Sequence, residues 1–467
     1  MRTLVAIVSF LGALAFVTPV HAWEADTTHA GLTEGAALAS KVNARLRLLH
    51  GRRGGWLEPL SLLADRAPAL YKKLAAIEPT SGVVPDRRGR QSALAWLIAG
   101  SVIEGIPGER DRNHFYDPSR KTGLTGEGAG GLVSPKSWGM LVGEGVPMRG
   151  MAAPDWTLAK ENDLGLGRFW LELERSVTAP SRGARDEHLA MALLTAGALL
   201  HVLEDLGAPA HARDDLREHL LPLGAGPADR GSRFERLAAL LYGRLGVPAP
   251  SAPAGRDHYR DFFTGADGKG LADLTHVRWY SYGTLPGETV VRIGAARGDI
   301  AKAVAKNQRF PLPRPERDLR TRPSTDPDGH ALRDTAGVCL ANYHVEDGHL
   351  KFAISDACAA EQMAVILPEI GGYATGLLDW LFRGALAVAV VGGSAQISVP
   401  EGEAALGAGK LTVLGEDAEG RRTVLSSAPW QGPTAVPVPD GMQRVFAVFR
   451  GVDGAGEELV AVGSGSP

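Results

Sequence analysis

The segment that most constrains this chain is the apolar run from Leu189 to Leu206, which closes on His201-Val-Leu-Glu-Asp205-Leu-Gly-Ala-Pro209-Ala-His211. Apolar residues recur three and four apart along it, which predicts a helix. On that helix His201 and Asp205 stand four apart on one face, so an imidazole and a carboxylate reach one metal together. Pro209 ends the helix and turns His211 toward a neighbouring position. Glu204 is expected to point elsewhere. A lone His and Asp at this spacing is commonly a surface pair, so the pattern gains meaning only from the rest of the chain.

Met1 and Arg2 precede an apolar run from Leu4 to Val20, and Val20-His21-Ala22 presents small residues where a signal peptidase reads them. Residues 1–22 therefore read as a signal peptide, which implies a secreted or periplasmic protein. No second apolar stretch of about 20 residues follows, which argues against a membrane-embedded fold. No cysteine near the cut offers a lipid anchor. Cleavage after Ala22 would make Trp23 the mature N-terminus. Its α-amine and carbonyl then form a five-membered chelate, and His29 adds an imidazole six residues later. Further along, Glu104 and the Asn113-His114-Phe-Tyr-Asp117-Pro118 loop offer a carboxylate and an imidazole, and Phe234-Glu235 opens a later helix. The plain alternatives are a solvated loop histidine at His114 and a first-turn acid favoured by the helix dipole at Glu235.

The chain has 467 residues and a formal net charge of -3, so it is no general polyanion binder, and any affinity for phosphate must come from a site. Its length calls for more than one domain. The helical patterns at Leu189 to Leu206, Phe234 to Leu245 and Ala359 to Phe382 predict a mainly α domain over 23–387, with Pro311 to Gly329 as a surface excursion. After Gly384 the texture changes to short β-type runs at Gln396 to Val399, Lys410 to Leu414, Thr423 to Leu425, Val445 to Phe449 and Glu458 to Val462. These predict a small C-terminal β-sandwich over 388–467. That stretch holds nine acidic and five basic residues, which disfavours electrostatic binding of nucleic acid. Cys339 and Cys358 are the only cysteines. They read as one disulfide or as two buried thiols, and they are too few for a thiolate zinc site.

Taken together, these residues resemble the zinc-dependent phospholipase C and single-strand-specific zinc nuclease superfamily. The carriers are Trp23 with His29, Glu104 with the His114 loop, the H-x3-D-x5-H block at His201, Asp205 and His211, and Phe234-Glu235. Leu367-Pro368, Gly372 to Leu378 and Phe382-Arg383-Gly384 resemble the closing helix of bacterial relatives. The resemblance spans Trp23 to about Gly384 and implies a multi-helix phospholipase C/nuclease-like domain with up to three Zn²⁺. One zinc would take His114, His201 and Asp205. A second would take Trp23 and His29, with Asp205 bridging the two, and a third would take His211 and Glu235. Glu104 stands where the family has a carboxylate ligand or general base, so Glu104 and Asp205 are the implied catalytic pair.

Two departures stand out. The position four before Glu235 is Gly231, where the family carries His, and His219 and Asp215 are the nearby substitutes. Glu104 replaces the usual Asp. The implied reaction is attack on phosphorus by a zinc-activated hydroxide, in line with the leaving oxygen. The expected protein is a monomer without a stable nucleic-acid partner, acting on a phospholipid headgroup or other phosphodiester at a peripheral membrane surface. Two alternatives are a single-strand nuclease that stacks bases on Trp138, Trp156, Trp170 or Trp279, and a degenerate metal binder, as Gly231 suggests.

Overall fold

The computed structural model describes residues 25–75, 77, 82–107, 110–125, 149–216, 232–287, 289–290 and 325–466. A π-helical turn (Ala25–His29) runs directly into α1 (Ala30–Ala39), followed by α2 (Val42–Leu48). β1 (Pro59–Ser61) pairs antiparallel with β2 (Arg90–Ser92) across α3 (Pro68–Leu74). Next come α4 (Ala93–Ile103), α5 (Ala153–Leu158), α6 (Leu166–Thr178) and α7 (Arg182–Asp205). The short α8 (Pro209–Ala212), α9 (Arg233–Tyr242) and α10 (Leu271–Arg278) follow. Ser92 and Ser181 cap α4 and α7 by accepting hydrogen bonds from Ala95 and Ala184 N–H, which satisfies otherwise orphaned donors.

By length and composition α7 could cross a membrane. It is instead the central helix, buried against α4 on one side and α6 on the other. Two glycines bring α4 and α7 together. A Cβ on Gly197 would lie 1.9 Å from the Leu97 carbonyl oxygen, and one on Gly100 would lie 1.9 Å from that of Leu194. With hydrogens there, the backbones approach closely one turn before His201, at the level of Leu97 and Ser101.

The stretch before the closing helix adds strands to the mainly α domain expected over 23–387. β3 (Thr289–Val290), β4 (His330–Arg333), β5 (Cys339–Glu346) and β6 (His349–Ala353) form an antiparallel sheet in the order β3-β6-β5-β4. Glu346 pairs with His349 across the two-residue turn Asp347-Gly348, where both residues have positive φ, 50° and 78°. Asp-Gly suits that turn, whose backbone matches the twist of the flanking strands. Cys339 in β5 is disulfide-bonded to Cys358 in α11 (Asp356–Leu381), the closing helix. Gly372 and Gly376 of α11 face the Ser251–Ala254 segment, and a Cβ on Gly376 would meet the Ala254 carbonyl at 2.0 Å.

Beyond α11 the C-terminal region is antiparallel sheet. β7 (Ala387–Val391), β8 (Ser394–Ser398), β9 (Leu406–Glu416), β10 (Arg422–Pro429), β11 (Thr434–Pro437), β12 (Arg444–Asp453) and β13 (Glu458–Gly465) arrange as β10-β9-β12-β13 and β11-β8-β7. All five expected runs are strands, and β7 and β11 add to them. β12 and β13 touch β7 on one side and α6 on the other. That explains why Val445–Phe449 is buried at every position instead of alternating.

Candidate metal centre

The last turn of α7 delivers His201, Glu204 and Asp205 into the interior, all fully buried. The π-helical turn before α1 sets His29 beside them. The ring centroids of His29 and His201 stack 3.8 Å apart, and His114 meets His201 edge-on at 5.0 Å. Asp205 is the hub. Its Oδ1 lies 3.0 Å from His29 Nε2, and its Oδ2 lies 2.7 Å from His114 Nδ1 and 3.4 Å from His201 Nε2. One donor atom each from His29, His201 and Asp205 falls within 4.8 Å of the others, a group able to hold a metal ion.

The other ring nitrogens show how these imidazoles are aimed. His201 Nδ1 donates to the Ser101 carbonyl at 2.5 Å, and His211 Nδ1 donates to that of His114 at 3.2 Å. His29 Nδ1 pairs with Glu204 Oε2 at 2.7 Å. Fixing Nδ1 in this way presents Nε2 as a lone-pair donor, the arrangement that orients metal-ligating histidines. The Nε2 atoms of His29, His114 and His201, and Asp205 Oδ1, are buried without a hydrogen bond. Each such group costs about 1–3 kcal/mol unless something else satisfies it, and a divalent cation between His29, His201 and Asp205 would do so for those three, whereas His114 turns its Nδ1 to Asp205 and its Nε2 toward Glu104. The donor set of imidazole and carboxylate without thiolate suits zinc.

Electrostatics follow from the packing. Burial opposes charge on His29 and His114, but carboxylates outweigh it: Asp205 and Glu204 raise His29 to about 9, and Asp205 and Glu104 raise His114 to about 10. Burial holds His201 and His211 down to about 4, and the charge of His29 reinforces the effect at His201. Burial would raise Asp205, yet His201, His211 and His29 hold it well below the usual carboxylate range.

Glu104 lies at the edge of this group, its Oε1 3.6 Å from His114 Nε2. Arg110 Nη2 donates to both its oxygens at 2.8 and 2.7 Å, and Trp156 Nε1 adds a third bond at 3.0 Å. Burial works against its ionisation, but Arg110 and His114 prevail and hold it near 2. Glu235 sits in the first turn of α9, where Ser232 caps its N–H, but it is buried and faces His211 Nε2 at 4.0 Å. Asp215 accepts from the Gly283 N–H at 2.6 Å. Trp23, His219 and Gly231 lie outside the described residues, as do residues 1–22 and Trp138.

Two buried carboxylates were not foreseen. Glu204 does not point elsewhere. Because α7 is enclosed at this end, the position beside Asp205 faces α1, where Glu204 holds His29 and accepts from Thr33 Oγ1 at 2.9 Å. Asp111, in the 3-10 turn before His114, is buried with neither oxygen hydrogen-bonded. Burial raises it well above its ordinary range, with Asp205 and Glu104 adding to the effect and His114 opposing it. Its placement three residues before His114 was the available signal. A cavity of about 630 Å³ lined by Leu70, Lys73, Asp163 and His188 does not reach this centre.

No protein-family model matches the chain, and no curated protein matches it. Among solved structures, the chain is similar to the alpha-toxin of Clostridium perfringens from the avian strain SWCP, at 11% identity and a TM-score of 0.25, over 94% of this chain and 98% of that one. So loose a superposition bears on neither chemistry nor substrate.

Proposed function

We propose that this chain is a secreted zinc-dependent phosphodiester hydrolase of the phospholipase C type. One observation carries the reading: His29, His114 and His201 converge on Asp205 in a fully buried group, each with an Nε2 that lacks a hydrogen bond. In this reading Asp205 would serve two zinc sites, one with His114 and His201 and one with His29 and the Trp23 amine and carbonyl. His211 and Glu235 hold a third, weaker site. Bound zinc would supply positive charge for phosphoryl oxygens and acidify water.

The chain's own residues do the rest. Glu204, the Ser101 carbonyl and the His114 carbonyl fix the orientation of His29, His201 and His211. Arg110 keeps Glu104 ionised and occupies both its oxygens, which suits Glu104 to balancing charge beside His114 better than to taking a proton near neutral pH. The disulfide accords with an oxidising compartment. A peripheral membrane surface and a monomeric state belong to the same reading. A nuclease would need an exposed aromatic platform. Trp170 and Trp279 are core residues, and Trp156 is pinned between Glu104 and the Arg110 guanidinium.

The test measures zinc content of the mature protein together with hydrolysis of a lipid phosphodiester and of single-stranded DNA. Retained zinc with chelator-sensitive lipid hydrolysis, lost in Asp205→Asn, is expected. Unchanged zinc and activity in Asp205→Asn would overturn the reading. An additional Ala before Trp23 should lower zinc occupancy, and equal occupancy would remove the N-terminal ligand.

A further inference from the structure

At the seam between the helical part and the C-terminal sheets lies a second cavity of about 410 Å³ that shares no residue with the metal centre. Four chain segments meet there: the turn after α2, the first turn of α7, the β9–β10 hairpin and the start of β12. Arg52, Arg53, Arg182, Arg185, Arg422 and Arg444 line it, against the two carboxylates Glu58 and Glu416. Asp186, just outside, pairs with Arg52. A surplus of positive charge remains after every one of these acids is counted.

The local pairing leaves that surplus uncompensated. Glu416 is shared by two guanidinium groups, 2.8 Å from Arg422 and 3.3 Å from Arg185. Arg182 reaches Glu58 only at 3.5 Å. Among the described residues no carboxylate pairs with Arg53, and Arg444 donates only to Ser464 Oγ at 3.1 Å. Arg182 and Arg185 also open α7, where the helix dipole disfavours cations and favours an anion. Arg422 registers the crowding: burial and the neighbouring Arg185 push it down to about 9.

A second observation points to a ligand. His50 lines this cavity at 6% exposure, and its Nδ1 is buried without a hydrogen-bond partner. Burial and the charges of Arg52, Arg422 and Arg45 hold it near 3, so the ring is neutral and offers a hydrogen bond beside the guanidinium groups. The volume falls within the roughly 300–1,000 Å³ range of small-molecule sites. Guanidinium forks match phosphate oxygens in pairs.

We propose that this arginine-lined seam binds a multiply charged, phosphate-bearing anion, held jointly by the helical part and the C-terminal sheets. It is independent of the metal centre, and the test keeps the two apart. Inorganic pyrophosphate is titrated into the full chain, into Asp205→Asn and into Arg53→Ala/Arg182→Ala, whose replaced side chains are on the exposed rim, with thermal melts confirming that each variant folds. Saturable binding that persists in Asp205→Asn and weakens by roughly tenfold or more in the arginine variant is expected. Binding that vanishes in Asp205→Asn and ignores the arginine changes, or no binding to any form, overturns the proposal. A parallel arm uses phosphatidylglycerol vesicles. Capture that pyrophosphate displaces and the arginine variant loses assigns the phosphate to a lipid headgroup. Capture that neither affects, alongside pyrophosphate binding, assigns it to a soluble ligand.

Discussion

Glu204 offers the sharpest test of how the centre is built, because it should touch no metal and yet set the affinity for one. Its Oε2 holds His29 Nδ1 at 2.7 Å and its Oε1 accepts from Thr33 at 2.9 Å, so it fixes the ring and makes it more basic. Removing such a partner typically lowers metal affinity about 10- to 100-fold, or about 1.4–2.7 kcal/mol. Glu204→Gln retains an oxygen for His29 and an amide for Thr33 but loses the charge, so it belongs at the low end, roughly tenfold. Glu204→Ala also strands the His29 N–H in the interior and belongs at the high end, roughly a hundredfold. In the metal-free chain Glu204 also partners the protonated His29, so Glu204→Gln should lower metal-free stability as well as zinc affinity. Competition against a fluorescent zinc chelator gives the affinity, and melting in excess chelator gives the stability. If both variants hold zinc as tightly as the native chain, Glu204 does not position a ligand and the centre is wrongly drawn.

Without metal, His29 near 9 and His114 near 10 carry protons at pH 7, so zinc must displace them. Zinc affinity should therefore climb as pH rises from 7 to about 9, with about two protons released per loading event, readable by calorimetry in buffers of different ionisation enthalpy; a pH-independent affinity would contradict the assignment. Gly197→Ala should destabilise by about 1–3 kcal/mol and weaken zinc binding, because its Cβ meets the Leu97 carbonyl at 1.9 Å and forces α7 away from α4. Gly183→Ala, with open space around it, should be neutral or stabilising in the same melt, and equal behaviour of the two would deny the close crossing. Replacing Cys339 and Cys358 by Ser opens a cross-link between residues 19 apart and should lower stability by about 3 kcal/mol in denaturant unfolding, whereas an unchanged midpoint would show the bond adds nothing.

What was legible in the sequence was periodic or closely spaced. The i, i+4 pair His201 and Asp205 needed only a helix to be placed, and His211 needed only a proline to start its turn, which Pro209 does as the first residue of α8. Glu204 was misread because a helix buried around its circumference has no outward face, and enclosure by α1, α4 and α6 is a tertiary property. The Asp347-Gly348 hairpin was present in the letters as a strong turn signal but lay in a stretch read as helical. The arginine-lined seam was not legible at all, because its members come from four segments that only the packed modules bring together.

The closing helix has a consequence for how the chain is made. α1, which follows His29, is backed by α11, and the Lys41 N–H just before α2 donates to Asp379 at 2.7 Å. The histidines at 29, 114, 201 and 211 all precede residue 381 in the chain, so the segments that carry them are made well before their rear wall. Nascent chains released before α11 would expose the apolar side of α1 and α7 to chaperones or proteases, and synthesis has to run almost to the C-terminal sheets before the site can close.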